Sequence, residues 1–397
     1  MKNGKKYSLP KGWEILTIGD VCERGSSNVS QNQLENNTGD YPIFGASGLI
    51  KNVNFYHQNK PYLSIVKDGS GVGRVTKMDA YTSVIGTLQY ILPKENVDLN
   101  YLYYNLISID FKKYLAGAAI PHIYFKDYKN EPFLWMPLPE QQRIVAILDE
   151  AFAAITKAKA NAEQNLKNAK GLFESYLQGV FEQQGEGWEE KTLSELCNIK
   201  HGFAFEGEYF SNSGDFVLLT PGNFYESGGY RDRGEKQKYY VGKIPNDYIL
   251  KKGDLLVAMT EQAAGLLGSP ILVPESNKFL HNQRLGLVMP KNNIPWSNEF
   301  FFHVFNTRKV RKALHSTGTG VKVRHTSPTK IGEVLVRFPS SISVQNEIVS
   351  TLNSLSAQTK KLEAIYQQKI NDLEELKKVI LQKAFSGELK TAEMLAV

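Results

Sequence analysis

An eleven-residue stretch near the start of the chain, Gly12–Cys22 (GWEILTIGDVC), returns 175 positions later as Gly187–Cys197 (GWEEKTLSELC). The two copies share a tryptophan and a cysteine, two rare residue types, in one ungapped register. Self-similarity at a fixed spacing is the mark of a repeated structural unit. The stretch therefore predicts that the chain folds as two related halves.

A second match defines the extent of the repeat. Residues 141–148 (QQRIVAIL) match 345–352 (QNEIVSTL), and residues 177–181 (LQGVF) match 381–385 (LQKAF), both at a shift of 204. The later copy therefore holds 29 more residues in its interior than the earlier one. The pattern predicts a tandem duplication with similar edges and diverged middles, and a chain of 397 residues is long enough for two domains.

The composition is that of an ordinary globular protein, with 42% hydrophobic and 22% charged residues. It excludes collagen, low-complexity disorder and a disulfide scaffold. We expect no secretory signal, because Met1–Trp13 has no apolar core, and no apolar run approaches the ~20 residues that cross a bilayer. Cys22 and Cys197 are the only cysteines, so we expect both to be small buried side chains in a cytoplasmic protein.

Each half begins with short apolar runs separated by turns. Runs of this length bounded by Gly, Pro or Asn predict strands, and they lie at 62–66, 84–92, 216–219, 255–259, 285–289 and 334–338. Residues 100–116 and 297–314 suit short helices. Each half is therefore predicted to contain an α+β domain.

Each half ends with a long amphipathic helix. From Ile144 and from Ile348 the apolar positions alternate in steps of three and four over about 43 residues, which is the coiled-coil period and a length of about 65 Å. One domain cannot bury so long a stripe, so we predict that the two helices pair as an antiparallel intramolecular coiled coil. Pairing of each helix with another protein stays open. We expect a closely approaching partner helix to compensate for the poor helix propensity of Gly171 and Gly179.

The predicted architecture is a pseudo-two-fold tandem repeat of α+β domains and long helices. Its predicted boundaries are a first domain at 1–138, a first long helix at 139–185, a second domain at 186–340, a second long helix at 341–390 and a tail at 391–397.

No catalytic motif is complete. The glycine-rich stretches 69–74 and 318–322 lack the Lys-Ser/Thr of a phosphate-binding loop, so we expect them to be turns. Residues 130–133 (NEPF) have glutamate where the loop of an amino-methylating enzyme has its first proline. The histidines show no paired metal-ligand spacing. We therefore expect a protein that is not an enzyme and holds no metal.

Positive charge is concentrated in a few places. The net charge of +6 is weak evidence on its own, but residues 300–332 contain seven lysines and arginines and no acidic residue. Residues 231–238 form a second basic patch, and 112–129 is the less basic counterpart in the first half. Basic residues beside glycine-rich turns suit DNA phosphates and groove edges. The candidate DNA-binding residues are Arg74, Lys113, His122, Tyr124, Lys126, Arg231, Arg233, Lys236, Arg308, Arg311, Lys312, Lys322, Arg324 and His325.

Three strings, Leu9–Trp13 (LPKGW), Asp40–Gly48 (DYPIFGASG) and Met136–Ile144 (MPLPEQQRI), resemble phrases of one family. The family is the specificity (S) subunit of type I DNA restriction-modification systems. The second junction, Ser343–Ile348 (SVQNEI), departs from it by lacking Leu-Pro-Glu. The resemblance covers nearly the whole chain. It implies two target recognition domains that each read one half of a bipartite, asymmetric DNA site, with the paired helices as a ruler between them.

The resemblance also implies the partners. They are double-stranded DNA, two modification (methyltransferase) subunits and restriction (translocase/nuclease) subunits, and no membrane is involved. S-adenosylmethionine, ATP and Mg²⁺ are then expected on the partner subunits and no cofactor on this chain. Two alternatives stay open: a coiled-coil scaffold whose end domains bind proteins, and a solitary DNA methyltransferase.

Overall fold

The computed structural model describes residues 11–117, 120–183, 185–262 and 265–386. Leu9 and Pro10 of the first family-like string and the predicted tail at 391–397 lie outside the described residues. The chain divides into two compact units. Unit 1 comprises Met1–Gln164 with Gln367–Val397, and unit 2 comprises Asn165–Tyr366.

Unit 1 is a mixed α+β unit. Its elements are β1 (Glu14–Thr17), α1 (Ile18–Val21), β2 (Cys22–Ser26), β3 (Tyr41–Gly45), β4 (Gly48–Val53), β5 (Tyr62–Val66), β6 (Val75–Met78), β7 (Ser83–Val84), β8 (Leu88–Pro93), α2 (Leu99–Ser108), α3 (Phe125–Tyr128), β9 (Pro132–Trp135) and the start of α4 (Leu138–Glu182). The main sheet is antiparallel in the order β2-β8-β5-β6. A smaller sheet has the order β4-β3-β7, and β1 pairs with β9.

Unit 2 repeats this plan with additional strands. Its elements are β10 (Trp188–Thr192), α5 (Leu193–Leu196), β11 (Cys197–His201), β12 (Phe210–Ser211), β13 (Phe216–Leu218), β14 (Tyr239–Tyr240), β15 (Leu255–Ala258), β16 (Thr260–Glu261), β17 (Pro270–Leu272), β18 (Phe279–Leu280), β19 (Leu285–Pro290), α6 (Asn298–Asn306), α7 (Arg308–Ser316), β20 (Arg324–His325), α8 (Pro328–Gly332), β21 (Leu335–Pro339) and the start of α9 (Ile342–Phe385). The main sheet, β11-β19-β15-β17, is the counterpart of β2-β8-β5-β6. A second sheet has the order β12-β14-β13-β18, β10 pairs with β21, and β16 pairs with β20.

The predicted strand 84–92 is two strands in two different sheets. Gly86 lies in the turn between them and donates its N–H to the carbonyl of Val29 at 2.8 Å. The chain thereby passes from the sheet of β7 to the sheet of β8. The sequence does not reveal this change of sheet, because both strands are buried and apolar and therefore look like one continuous run.

The two predicted short helices also differ from the structure. The predicted helix 100–116 ends at Ser108, and a short 3-10 turn follows at Phe111–Tyr114. The predicted helix 297–314 is two helices, because Thr307 takes an extended backbone conformation between them. The Thr307 hydroxyl accepts a hydrogen bond from the Val310 N–H and thereby caps α7.

A buried glutamine joins the domain of unit 1 to α4. The Gln141 side-chain oxygen accepts a bond from the Asp98 N–H at 2.8 Å. Its amide nitrogen donates to the carbonyls of Asn96 at 2.9 Å and Met136 at 2.7 Å. These three bonds fix the start of the helix against two preceding segments of the domain.

Gln345, which the sequence repeat pairs with Gln141, does the same at the start of α9. Its oxygen accepts from the Ser297 N–H at 3.0 Å. Its amide donates to the carbonyls of Pro295 at 3.0 Å and Pro339 at 2.9 Å. The recurrence of this glutamine in the sequence thus has a structural cause.

Within unit 1 the first turns of α4 pack against the last turns of α9. They share one apolar core, whose buried members on these two helices are Ile144, Val145, Leu148, Phe152, Ile155, Ile380, Leu381 and Ala384. Lys159 forms an ion pair with Glu374 at 2.7 Å, and the ammonium of Lys377 lies 4.9 Å from the ring centroid of Phe152. Early residues of α4 thus meet late residues of α9, and the two segments run antiparallel as predicted.

Within unit 2 the opposite helix ends share a core. Phe181, near the end of α4, packs against an apolar cluster of unit 2. Val349, near the start of α9, belongs to this cluster, and Ile348 also packs against it. The antiparallel arrangement therefore recurs inside unit 2.

The two glycines inside α4 have no close partner. Outside the backbone of the helix itself, no atom of the described residues lies within 4 Å of the position that a Cβ would take at Gly171 or Gly179. The expectation of a compensating close approach was wrong. Both positions face open space, so the weak helix propensity of glycine is uncompensated there.

Both cysteines are buried free thiols, as predicted. The Cys22 thiol donates to the Ile18 carbonyl at 3.1 Å, and the Cys197 thiol donates to the Leu193 carbonyl at 3.3 Å. Burial raises the pKa of each thiol to about 12, so neither is a thiolate at neutral pH. Among the described residues, none of the helices combines the length and hydropathy needed to cross a membrane.

Candidate nucleic-acid interface

Each unit has a loop at the end of its main sheet that is fixed by a glycine. Gly73, before β6, has φ of +85°, and Gly268, before β17, has φ of +76°. A Cβ would lie 2.6 Å from Phe111 at the first position and 2.6 Å from Leu314 at the second. Only glycine fits there, and in both units it lies two residues before the strand that the loop enters, β6 or β17.

Beside each of these loops lies a second loop that is closed over a histidine. Ala116 and His122 exchange two backbone hydrogen bonds of 2.9 Å, and Thr319 and His325 exchange two of the same length. The two loops are 203 positions apart in the sequence. We call residues 116–122 and 319–325 the histidine loops.

A glycine is required at the second position of each histidine loop. Gly117 has φ of +87° and Gly320 has φ of +112°, a region that side chains other than glycine rarely adopt. A Cβ would collide with the carbonyl oxygen of Ile120 in the first loop and of Val323 in the second. The shared pattern is Gly-x-x-Ile/Val-x-His at 117–122 and 320–325.

In unit 1 the candidate residues lie on adjoining loops. Arg74 ends the loop after β5, and its guanidinium donates to the Ala46 carbonyl at the turn between β3 and β4. The Gly69 N–H donates to the Pro121 carbonyl at 3.0 Å, which joins the same loop to the histidine loop. Lys113 is exposed on the 3-10 turn just before the histidine loop.

Three further candidates of unit 1 form an aromatic and cationic cluster. The ring centroids of His122 and Tyr124 are 4.8 Å apart. The Lys126 ammonium lies 5.2 Å from the centroid of Tyr124, within the range of a cation–π interaction. Tyr124 and Lys126 are exposed. Such a surface offers positive charge and hydrogen-bond donors to a phosphate backbone.

In unit 2, Arg231, Arg233 and Lys236 lie on a loop between β13 and β14. Buried Asn223 holds this loop, because its amide donates to the Gln237 side chain at 2.9 Å and to the Arg231 carbonyl at 3.3 Å. Arg231 and Lys236 are exposed and Arg233 is half-buried. The Arg231 guanidinium lies 5.9 Å from the centroid of the exposed Tyr225 ring.

Arg311 points into unit 2 rather than towards solvent. Its guanidinium donates to the carbonyls of Glu226, at 3.2 Å, and Gly265. Burial lowers its pKa to about 10, so it stays charged at neutral pH. Arg311 therefore links two loops of unit 2, and its predicted contact with DNA stays a prediction.

Arg324 also has internal partners. Its guanidinium forms an ion pair with Glu261 at 2.9 Å and donates to the His315 carbonyl at 2.5 Å. Glu261 is buried, with 2% of its surface exposed. Arg324 therefore fastens the second histidine loop, and its predicted contact with DNA stays a prediction.

The remaining candidates of unit 2 fall into two places. Lys322 is exposed in the histidine loop, and exposed His325 closes that loop with its ring nitrogen 3.2 Å from the Thr260 hydroxyl. Lys312 is exposed in the middle of α7. Arg308 starts α7 and pairs with Glu174 at 3.3 Å, so it lies at the end of that helix away from the histidine loop.

The structure thus gathers most candidates of each unit around one group of loops. Sequence reasoning missed three residues that organise these loops, Glu261, Asn223 and Gly117, and identified Gly320 only as part of a glycine-rich turn. The repeated Gly-x-x-Ile/Val-x-His pattern was the signal in the sequence that could have identified the loops as counterparts.

The glycine-rich stretch 69–74 contains consecutive turns, as predicted, whereas 318–322 contains the bridge residue Thr319 and a bend. Gly69, Gly71 and Gly73 all have positive φ and lie in consecutive turns after β5. Within the ranges 11–117, 120–183, 185–262 and 265–386, no group of three His, Cys, Asp or Glu residues is arranged to hold a metal ion.

The family model described as type I restriction modification DNA specificity domain matches the chain twice, over residues 10–165 and 185–375. The chain belongs to this specificity family. Each match covers one domain and much of the long helix that follows it, so the repeat found in the sequence is a repeat of the family's domain. The family resemblance of the three strings is confirmed.

Two known specificity subunits are similar to the chain. The type I restriction enzyme MjaVIII specificity subunit of Methanocaldococcus jannaschii is 22% identical, over 97% of this chain and 95% of that protein. The EcoBI specificity subunit of Escherichia coli is 26% identical, over 56% of this chain and 43% of that protein.

Solved structures show the same fold. A chain from a structure of complex assembly and conformational transition in the type I R-M system aligns with a TM-score of 0.72 at 16% identity, over 96% of this chain and 100% of that one. The HsdS subunit from Thermoanaerobacter tengcongensis aligns with a TM-score of 0.61 at 17% identity, over 97% and 99% of the two chains. The α+β class with two long helices is thereby confirmed.

Proposed function

We propose that this specificity-family chain is the non-catalytic subunit that selects the DNA sequence for a type I restriction-modification complex. Unit 1 and unit 2 each read one half of a bipartite site, and α4 and α9 set the spacing between the halves. This recognition of DNA takes place in the cytoplasm and contributes to defence against foreign DNA.

One observation carries this proposal. Both units build the same pair of loops, fixed by glycines at matching positions, but present different side chains on them. Just after the histidine loop, unit 1 exposes Tyr124 and Lys126, whereas unit 2 has Ser327 and Thr329 at the matching positions and exposes Lys322 within its histidine loop. A common frame with different surface chemistry is what two readers of unlike half-sites require, so the target is asymmetric.

The proposal assigns the catalytic steps to partner subunits. Two modification subunits would bring S-adenosylmethionine and methylate the DNA, and restriction subunits would bring ATP and Mg²⁺ for translocation and cleavage. The family membership and the incomplete phosphate-binding and methylation motifs of this chain support that division.

A selection experiment tests the proposal. The complex is purified through a tag on this chain from cells of its source organism and mixed with random duplex DNA. We expect recovery of two short sequences at a fixed spacing, with an affinity that falls steeply with salt because bound phosphates release counterions.

Two results would contradict the proposal. Binding without sequence preference would favour a scaffold whose end domains bind proteins. Binding of S-adenosylmethionine by the purified chain without partners would favour a solitary methyltransferase.

A further inference from the structure

A buried carboxylate lies beneath the loops of unit 2. Glu261 is 2% exposed and begins the segment that leads from β15 towards β17. One of its oxygens accepts hydrogen bonds from the N–H groups of Gly265 at 3.0 Å and Leu267 at 2.9 Å. The carboxylate thereby fixes the far side of its own loop.

The other oxygen of Glu261 fastens the histidine loop. It accepts a hydrogen bond from Arg324 at 2.9 Å, and the same guanidinium donates to the His315 carbonyl at the end of α7. One arginine thus joins the histidine loop to the carboxylate and to the helix. Hydrogen bonds between charged groups of this kind are shorter and stronger than neutral ones.

A third loop is attached from the opposite side. Arg311 donates to the Gly265 carbonyl, in the loop that Glu261 holds, and to the Glu226 carbonyl, in the loop that leads to Arg231. The two loops that bear Arg231 and Lys322 are therefore both connected to the loop that buried Glu261 holds.

At the matching position, the described part of unit 1 has a glycine and no carboxylate. In both units, a residue between the first strand and the loop that follows it forms an antiparallel β-bridge with the histidine of the histidine loop. This residue is Asp68 in unit 1 and Thr260 in unit 2. The next residue is Gly69 in unit 1 and Glu261 in unit 2. In unit 1 the backbone bond from the Gly69 N–H to the Pro121 carbonyl, at 3.0 Å, makes the connection, whereas in unit 2 the matching backbone pairing of Glu261 with Arg324 is supplemented by their side-chain ion pair.

We propose that Glu261 is a positioning residue that determines which DNA sequence unit 2 accepts. It makes no contact with DNA and acts through Arg324 and the loop amides, by keeping the three loops in one arrangement. Without the carboxylate, the exposed side chains on these loops keep their charge but lose their fixed places relative to the bases. This inference rests on the proposed function, because it assumes that unit 2 reads a half-site.

The test compares Glu261→Gln with Glu190→Gln in the tagged complex. Glu190 is a matched control, because its carboxylate also binds two cations of unit 2, Arg337 at 2.8 Å and Lys309 at 3.1 Å, but away from the histidine loop. Each complex selects from random duplex DNA. Circular dichroism melting checks that the variants are equally folded at the temperature of selection.

We expect the Glu261→Gln complex to discriminate between bases in one half-site about tenfold less well than the wild type, which is the contribution of one good base contact. We expect it to select the other half-site as the wild type does. Glu190→Gln is expected to select the wild-type site. Arg324→Lys, which keeps the charge but cannot bond both partners, is a second variant in case Glu261→Gln does not fold. It is expected to change the same half-site.

Three outcomes would overturn the proposal. The first is a folded Glu261→Gln, or Arg324→Lys in its place, that selects the wild-type sequence in both half-sites. The second is an equal loss in both half-sites. The third is the same loss in Glu190→Gln, which would indicate a general structural effect. A wild-type complex that selects no sequence would instead refute the proposed function itself.

Discussion

Units 1 and 2 are alike where the domain meets its helix and different where the loops face solvent. Thr17 and Asp20 form a capping box at the start of α1, and Thr192 and Glu195 form the same box at the start of α5. Asp98 and Ser297 occupy the same place at the buried glutamines of the two junctions. These matches show that the helix junction is the constant part of the repeat.

The loops, in contrast to the helix junctions, differ between the two units. Apart from the shared glycine, Gly73 or Gly268, the unit 1 loop after β5 turns on Gly69 and Gly71, whereas the unit 2 loop is arranged around buried Glu261 and half-buried Arg311. The two units thus reach the same backbone frame by different means. The comparison indicates that the frame and the surface chemistry can change separately, which suits domains that must read new sequences without disturbing the helices.

The largest expected effect is an exchange of whole domains. Replacement of residues 186–340 by the matching domain of another specificity subunit is expected to change one half-site completely and leave the other unchanged. The reason is that every loop residue of unit 2 named above lies within this range. DNA selection with the purified complex measures the result.

The reciprocal exchange is the control for this prediction. Replacement of residues 11–138 is expected to change only the other half-site. If either exchange altered both half-sites, the two units would not read independently.

The next largest effect concerns the helix junctions, the constant part of the repeat. Gln141→Ala and Gln345→Ala each remove three hydrogen bonds and strand buried backbone groups, so each is expected to lower the free energy of unfolding by about 3 kcal/mol. Urea unfolding followed by circular dichroism measures it. Gln358→Ala, at an exposed position in α9, is the control and is expected to stay within about 0.5 kcal/mol of the wild type. A large difference between the two buried variants would show that the junctions are not equivalent.

A smaller effect tests the histidine loops. Gly117→Ala and Gly320→Ala combine an unfavourable φ with a collision, whereas Gly253→Ala has φ of +84° but open space around the new methyl group. The unfavourable φ alone is expected to cost about 1–2 kcal/mol, so Gly253→Ala sets the baseline and the two loop variants exceed it. Equal losses of stability in all three variants would mean that the histidine loops relax to accommodate the new methyl group. Urea unfolding again supplies the measurement.

The smallest effect has the opposite sign. Gly171→Ala is expected to stabilise the protein by about 1 kcal/mol, because the position is exposed and no neighbour requires glycine. The repeat pairs Gly171 with Glu375, which is exposed in α9, and Glu375→Ala is expected to change stability by less than about 0.5 kcal/mol. Thermal melting of both variants distinguishes this account from one in which Gly171 has an essential packing role.

The repeat and the long helices could be predicted because their signals are local and periodic. Trp13 and Trp188, and the glutamines of the two junctions, recur in register, and the heptad spacing does not depend on distant contacts. The split of the predicted strand 84–92 could not be foreseen. It depends on which sheet each half joins, and the partner strands of β7 and β8, β3 on one side and β2 and β5 on the other, are distant in the sequence.

The interface was predictable in position but not in detail. The basic window suggested that Arg311 and Arg324 face DNA, yet the carboxylate that turns Arg324 inward lies 63 residues earlier in the sequence. A local count of charge contains no information about such a partner. Lys322 and His325 in the same window do remain exposed.

The continuation of α4 and α9 through both units has a consequence for synthesis on the ribosome. The core of unit 1 needs Ile380, Leu381 and Ala384, although Ile155 of the same core emerges more than 200 residues earlier. At roughly 5–20 residues per second, the nascent first domain waits on the order of ten seconds or more for its last core residues. Completion of the amino-terminal unit is thereby postponed until nearly all of the chain has been translated.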